Sequence, residues 1–183
     1  MFDLSDDHRK TLLLIARQSI VIILDGRAPE WNAEDFDETL RRPAGAFVTL
    51  RTHEGDLRGC IGSIHAVEPL HKAVASSAVS AAFRDPRFPP LRPGEIEQLE
   101  LEISVMGPIE QVTNIDDIVV GRDGLIISQG RYAGLLLPQV ATEYEWDCVT
   151  FLDQTCLKAG LPRGAWRAEG CRIEKFSAIV FGE

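Results

Sequence analysis

Leu57-Arg58-Gly59-Cys60-Ile61-Gly62 places two glycines, a cation and a thiol within six residues, directly after the turn-forming His53-Glu54-Gly55-Asp56. Read as a strand, the stretch alternates its side chains between two faces. Leu57, Gly59 and Ile61 share the face suited to a core, and Arg58, Cys60 and Gly62 share the other. Residues 46–51, with Phe47, Val48, Thr49 and Leu50, are β-prone and precede the turn. Residues 46–64 therefore predict an antiparallel hairpin.

Outward from the hairpin, Glu68-Pro69 marks a boundary and Pro69 suits the first position of an alanine-rich helix over 70–83. Asp85-Pro86-Arg87-Phe88-Pro89-Pro90 ends that helix abruptly. Upstream, residues 5–25 predict a helix capped by Ser5 and stopped by Gly26, with Leu12, Ile15, Ala16, Ile20 and Ile23 as its apolar stripe. Residues 34–40 read as a short helical turn. Downstream, Leu99, Leu101, Ile103 and Val105 alternate with Glu100, Glu102 and Ser104, a strand with one wet face. Gly107-Pro108 is expected to interrupt it, with 109–112 as a continuation.

A second hairpin is expected from 125–128 and 131–137 around Gln129-Gly130, broken off by Pro138. Asp147 caps a predicted helix running to Lys158, with Gly160 at its end, and residues 168–181 read as a terminal strand or two. Hairpin, proline-marked loop and helix thus occur over 46–83 and again over 125–160. Laying Gly134 on Gly59 puts Leu135 where the first unit has Cys60, and Leu137 where it has Gly62. The expectation is an α+β fold of mainly antiparallel sheets: one domain over 1–183, two-lobed, with a duplicated hairpin-plus-helix unit. The lobes would be the N-terminal helix with 44–112, and 113–183.

A formal net charge of -9 and a pI of about 5.0 lack the basic footprint of a nucleic-acid binder. The longest apolar stretch, residues 12–24, is broken by Arg17, Gln18 and Ser19 and is too short to span a bilayer. The acidic start at Asp3, Asp6 and Asp7 is unlike a secretory signal, so a cytoplasmic location is expected. Cys60, Cys148, Cys156 and Cys171 form no C-x-x-C pair, and a zinc site is not expected.

Cys60 is the foremost catalytic candidate, because a nearby cation favours the reactive thiolate and Arg58 lies two residues away on the same face. Gly59 and Gly62 leave room for a ligand or for another backbone. The alternative is that Cys60 packs as a small hydrophobe and Arg58 reaches a carboxylate or solvent. His53, His65 and His71 surround the strand, but pairing one with Cys60 requires a bend or a contact across the hairpin. Arg87, in the Arg84-Asp85-Pro86-Arg87 corner, is a candidate anion ligand, although Asp85 could equally hold the corner through backbone hydrogen bonds. Asp147 is more simply a cap, and Cys148 and Cys156 share a core-facing stripe.

These residues resemble the AMMECR domain family, whose prokaryotic members include AmmeMemoRadiSam system protein A. The resemblance rests on Leu57-Arg58-Gly59-Cys60-Ile61-Gly62, on Gly45-Ala46-Phe47-Val48-Thr49-Leu50 and on Asp85-Pro86-Arg87-Phe88-Pro89-Pro90-Leu91. Further matches are Glu102-Ile103-Ser104-Val105, Gly134-Leu135-Leu136-Leu137-Pro138-Gln139-Val140 and Lys158-Ala159-Gly160-Leu161. It implies a two-lobed α+β fold and an association with a Memo-type protein and a radical-SAM protein. The chain has no C-x-x-x-C-x-x-C motif, so iron–sulfur chemistry would belong to a partner. The resemblance brings no established reaction. Two functions are carried forward. One is an accessory or regulatory protein that binds a partner or small ligand; the other is an enzyme using Cys60, activated by Arg58, on a small substrate.

Overall fold

The computed structural model describes residues 3–183. The fold is α+β, with five α-helices among the described residues and six antiparallel strands. The chain divides into two compact units: Met1–Met106 with Ile179–Glu183, and Gly107–Ala178.

In the first unit, α1 (Asp6–Leu24) opens with a capping box in which the Ser5 hydroxyl accepts the His8 N–H and the His8 ring accepts the Ser5 N–H. It buries Leu12, Ile15, Ala16 and Ile20, as the stripe requires. The short helical turn resolves into a 3-10 turn at Ala33–Asp35 and α2 (Glu38–Arg41), capped by Asp37. β1 (Ala46–Thr52) and β2 (Leu57–Ser63) form the hairpin, and α3 (Leu70–Phe83) follows. β3 (Leu99–Gln111) pairs with β1 from Leu99 opposite Thr52 to Val105 opposite Ala46. Val48, Leu50, Leu101 and Ile103 present the apolar face of these strands to a core shared with Leu70 and Val74 of α3 and with the α1 stripe.

In the second unit, β4 (Asp123–Gln129) and β5 (Tyr132–Leu136) make the other hairpin. α4 (Pro138–Glu143) and α5 (Cys148–Lys158) follow, and β6 (Arg172–Gly182) pairs with β4. Leu125, Ile127, Ala141, Phe151, Leu152 and Cys156 form a separate core. Asp147 caps α5 by accepting the Thr150 N–H at 2.7 Å. The strand order is β2-β1-β3-β6-β4-β5, so each hairpin contributes an edge strand, β2 and β5.

One expectation is corrected. Gly107-Pro108 does not interrupt β3, because the ladder with β1 stops at Ala46 opposite Val105 and Pro108 has no ladder bond to lose on that side. Gly107 itself is required by β6, since a Cβ there would sit 2.2 Å from the Ser177 hydroxyl oxygen. Pro138 breaks off β5 as expected and also begins α4, at the first helical position, where a missing N–H costs nothing. The C-terminal segment is a single strand, one of the two forms expected, preceded by a 3-10 turn at Ala165–Arg167.

Candidate functional site

The face carrying the candidate residues is set by the hairpin register. Gly59 stands opposite Leu50, Cys60 opposite Thr49, Ile61 opposite Val48 and Gly62 opposite Phe47, with an irregularity at Leu50/Arg51. Gly59 is buried beneath the end of α3, and a Cβ on it would lie 2.2 Å from the Ala81 carbonyl oxygen. The room it leaves is occupied by helix backbone. A Cβ on Gly62 would meet the Ala46 carbonyl oxygen at 2.2 Å and the Phe47 ring at 2.5 Å, so this glycine is needed for the hairpin's own packing.

Arg58 does not spend its charge on the thiol. Its Nε donates to Glu95 Oε1 at 2.5 Å and its Nη2 to the Pro89 carbonyl at 3.0 Å. The guanidinium lies 5.9 Å from the Phe88 ring centroid, and its side chain is only 12% exposed. Burial pushes the Glu95 carboxyl up, but the Arg58 bond and the Arg92 amide outweigh it, and the net direction is down. A charge-assisted bond on a largely buried guanidinium is a strong restraint on the proline-rich loop. Beside it, Arg58, Arg92, Glu95 and Gln98 line a cavity of about 670 Å³.

Asp85 and Arg87 grip the edge of β2 at Cys60. Asp85 Oδ2 accepts the Cys60 backbone N–H at 2.9 Å, and Arg87 Nη2 donates to the Cys60 carbonyl at 3.2 Å. The two side chains are themselves paired: Arg87 Nε reaches Asp85 Oδ1 at 2.9 Å and Nη2 reaches Oδ2 at 2.7 Å. Asp85 Oδ1 also accepts the Arg87 backbone N–H at 3.1 Å, which closes the corner. The Arg87 guanidinium holds the Asp85 carboxyl far below the usual carboxylate range, helped by the Cys60 amide and opposed by burial. Both readings of the corner therefore apply. Asp85 holds it together, and Arg87 binds a carboxylate, that of Asp85.

The Cys60 thiol accepts a hydrogen bond from Thr49 Oγ1 at 3.3 Å. The cation that bonds to this residue is Arg87, through the Cys60 carbonyl, and the Arg87 pKa is raised mainly by its bond to Asp85. No histidine bonds to the thiol among the described residues. His53 faces Glu100 at 3.5 Å, the His65 backbone N–H bonds to the Ser63 hydroxyl, and His71 is buried with Nδ1 against the Leu40 carbonyl and its ring stacked on Phe36. Burial pushes the Cys148, Cys156 and Cys171 thiols up, which suits core residues. Among the described residues no group of three or more His, Cys, Asp or Glu could hold a metal ion. Thr49 and Glu95 were not foreseen. Hairpin pairing could have found Thr49; nothing local marks Glu95.

A family model described as AMMECR1 matches residues 13–181. The chain belongs to the AMMECR1 family. A protein of Methanothermobacter thermautotrophicus is 42% identical over 186 residues, covering 98% of this chain and 96% of that one. Protein PF1979 of Pyrococcus furiosus is 42% identical over 193 residues, covering 100% and 91%. The crystal structure of uncharacterised protein PH0010 from Pyrococcus horikoshii superposes with a TM-score of 0.92 at 39% identity, covering 98% of this chain and 93% of that one. The AMMECR1 match spans both hairpins and every candidate residue. No helix among the described residues is long and apolar enough to cross a membrane.

Proposed function

We propose that this AMMECR1-family chain is an accessory or regulatory protein that binds a partner or small ligand through the β2 edge. It would work in the cytoplasm with Memo-type and radical-SAM proteins. The observation that carries the reading is the commitment of Arg58 to Glu95 and Pro89. The cation expected to arm Cys60 is used to fasten a loop, and no general base bonds to the thiol among the described residues. What remains is a rigidly held strand with an accessible edge, which is the equipment of a binding element. Duplication of a hairpin-plus-helix unit in two lobes belongs to the same proposal. Its support is that a Cβ on Gly134 of β5 would lie 2.3 Å from Ala159 N at the end of α5, as one on Gly59 would lie 2.2 Å from the Ala81 carbonyl oxygen of α3. Purified chain mixed with the cognate Memo-type and radical-SAM proteins is expected to co-sediment with at least one of them, or to change its activity. Neither effect across nucleotide and metal conditions would sink the proposal.

One observation favours the enzyme reading in altered form. Arg87 donates to the Cys60 carbonyl and its side chain is 53% exposed, so a thiol-dependent reaction would use Arg87 and Thr49 rather than Arg58. Turnover of a small substrate that Cys60→Ala abolishes would establish it.

A further inference from the structure

The edge of β2 is closed at one position and open at the next. Because the Cys60 N–H and C=O turn outward to Asp85 and Arg87, the Thr49–Cys60 pair is of the non-hydrogen-bonded kind. By alternation the Phe47–Gly62 pair is too, and the Gly62 N–H and C=O also point away from β1. No group among the described residues bonds to them. They border a groove of about 330 Å³ between β2 and α3. The helix wall is made of small side chains, Ala73, Ser76, Ser77 and Ser80, which leave space for a chain to lie alongside. Val67, 83% exposed, stands at the groove, and Glu68 is its one acidic residue. Ser76 Oγ donates to Glu68 Oε1 at 3.0 Å, and both residues also line a separate cavity of about 600 Å³ with Trp31, Val79, Lys72 and Arg84.

An unpaired strand edge beside a helix accepts an extended peptide as an added strand. The charge of the groove and of the chain selects among peptides. Glu68 lies within it, and the net charge of -9 repels a second copy while attracting a cationic segment. We propose that the groove binds an extended peptide segment of a partner protein, pairing with Gly62 and presenting a lysine or arginine to Glu68. The inference rests on the accessory reading above and names the class of partner feature recognised. Asp85 and Arg87 stop the pairing at Cys60 and β2 ends at Ser63, so the backbone pairing is confined to Gly62 and the rest of the peptide lies along α3.

The test pans a displayed library of random heptapeptides against the full chain, with Ser80→Trp, which fills the groove, and Glu68→Gln as comparisons. Enriched peptides are expected to carry a lysine or arginine and to lose at least about tenfold in affinity on Ser80→Trp. On Glu68→Gln they are expected to lose the basic preference, while binding slows hydrogen exchange at the Gly62 amide. No enrichment over Ser80→Trp, or binding that leaves Gly62 exchange unchanged, would overturn the proposal. So would a dimer of the free chain that itself protects Gly62. A Memo-type or radical-SAM complex unaffected by Ser80→Trp would refute the groove and leave the accessory reading standing. Peptides that bind as described, with no such complex, would do the reverse.

Discussion

Gly59→Ala is expected to destabilise the protein by about 3 kcal/mol, the upper end of the usual overpacking cost. The new methyl would sit 2.2 Å from the Ala81 carbonyl oxygen and 3.1 Å from its carbon, both of them backbone atoms of α3. A side chain could rotate away; a helix backbone packed on both β1 and α1 cannot move without opening the core that Leu70 and Val74 share with Leu12 and Ile15. The expected fall in melting temperature is roughly 6–12 °C for a chain of this size. Thermal unfolding followed by circular dichroism checks it, and a fall below about 2 °C would mean that α3 stands off the strand. Gly134→Ala should behave similarly, since its methyl would meet Ala159 N at 2.3 Å and Lys158 C at 2.6 Å.

Asp85→Ala carries the second largest expected effect. The carboxylate is buried and receives the Cys60 N–H, the Arg87 N–H and the Arg87 guanidinium. Its removal strips acceptors from two backbone donors and from a cation. Losing one partner of a buried pair costs about 3–5 kcal/mol where the survivor stays buried. Arg87 is 53% exposed and can return to water, which lowers the expected cost to about 2–3 kcal/mol. The pH dependence follows from the direction of the shift. The folded carboxyl titrates below its unfolded value, so its contribution is complete above about pH 4 and is lost as pH falls through the folded value. Urea unfolding of wild type and Asp85→Ala should therefore show a constant gap between about pH 5 and 8, closing only in strong acid. A gap that narrows between pH 8 and 6 would contradict the assignment.

Much of the architecture was legible because its signals are local. Ser5 and Asp147 are caps, Pro69 precedes α3, and apolar residues alternate along β1 and β3; each can be read within a few positions of itself. Pro108 was misread because the same residue breaks one context and suits another, whereas Pro138 ended β5 as expected. Pro108 is tolerated because the ladder with β1 stops at Ala46 opposite Val105, a fact of register that lies far away in sequence. The site divides in the same way. The Arg58–Cys60 alternation was readable from strand period, and the Asp85 turn from its own tripeptide. That Arg58 would close on Glu95, 37 residues on, and Cys60 on Asp85, 25 residues on, depends on where the loop after α3 folds back. Local chemistry suggested an armed thiol; long-range packing had already engaged its arginine.

The measurement that bears most directly on this account is the alkylation rate of Cys60 at neutral pH in wild type, Arg58→Ala and Arg87→Ala, each confirmed as folded. Arg58 is held by Glu95 and Pro89, whereas Arg87 is the cation bonded to Cys60, through its carbonyl. The expected result is that Arg58→Ala leaves the rate within about twofold and Arg87→Ala changes it more. A rate that collapses in Arg58→Ala while Arg87→Ala is unaffected would restore Arg58 as the activator of Cys60 and contradict the account.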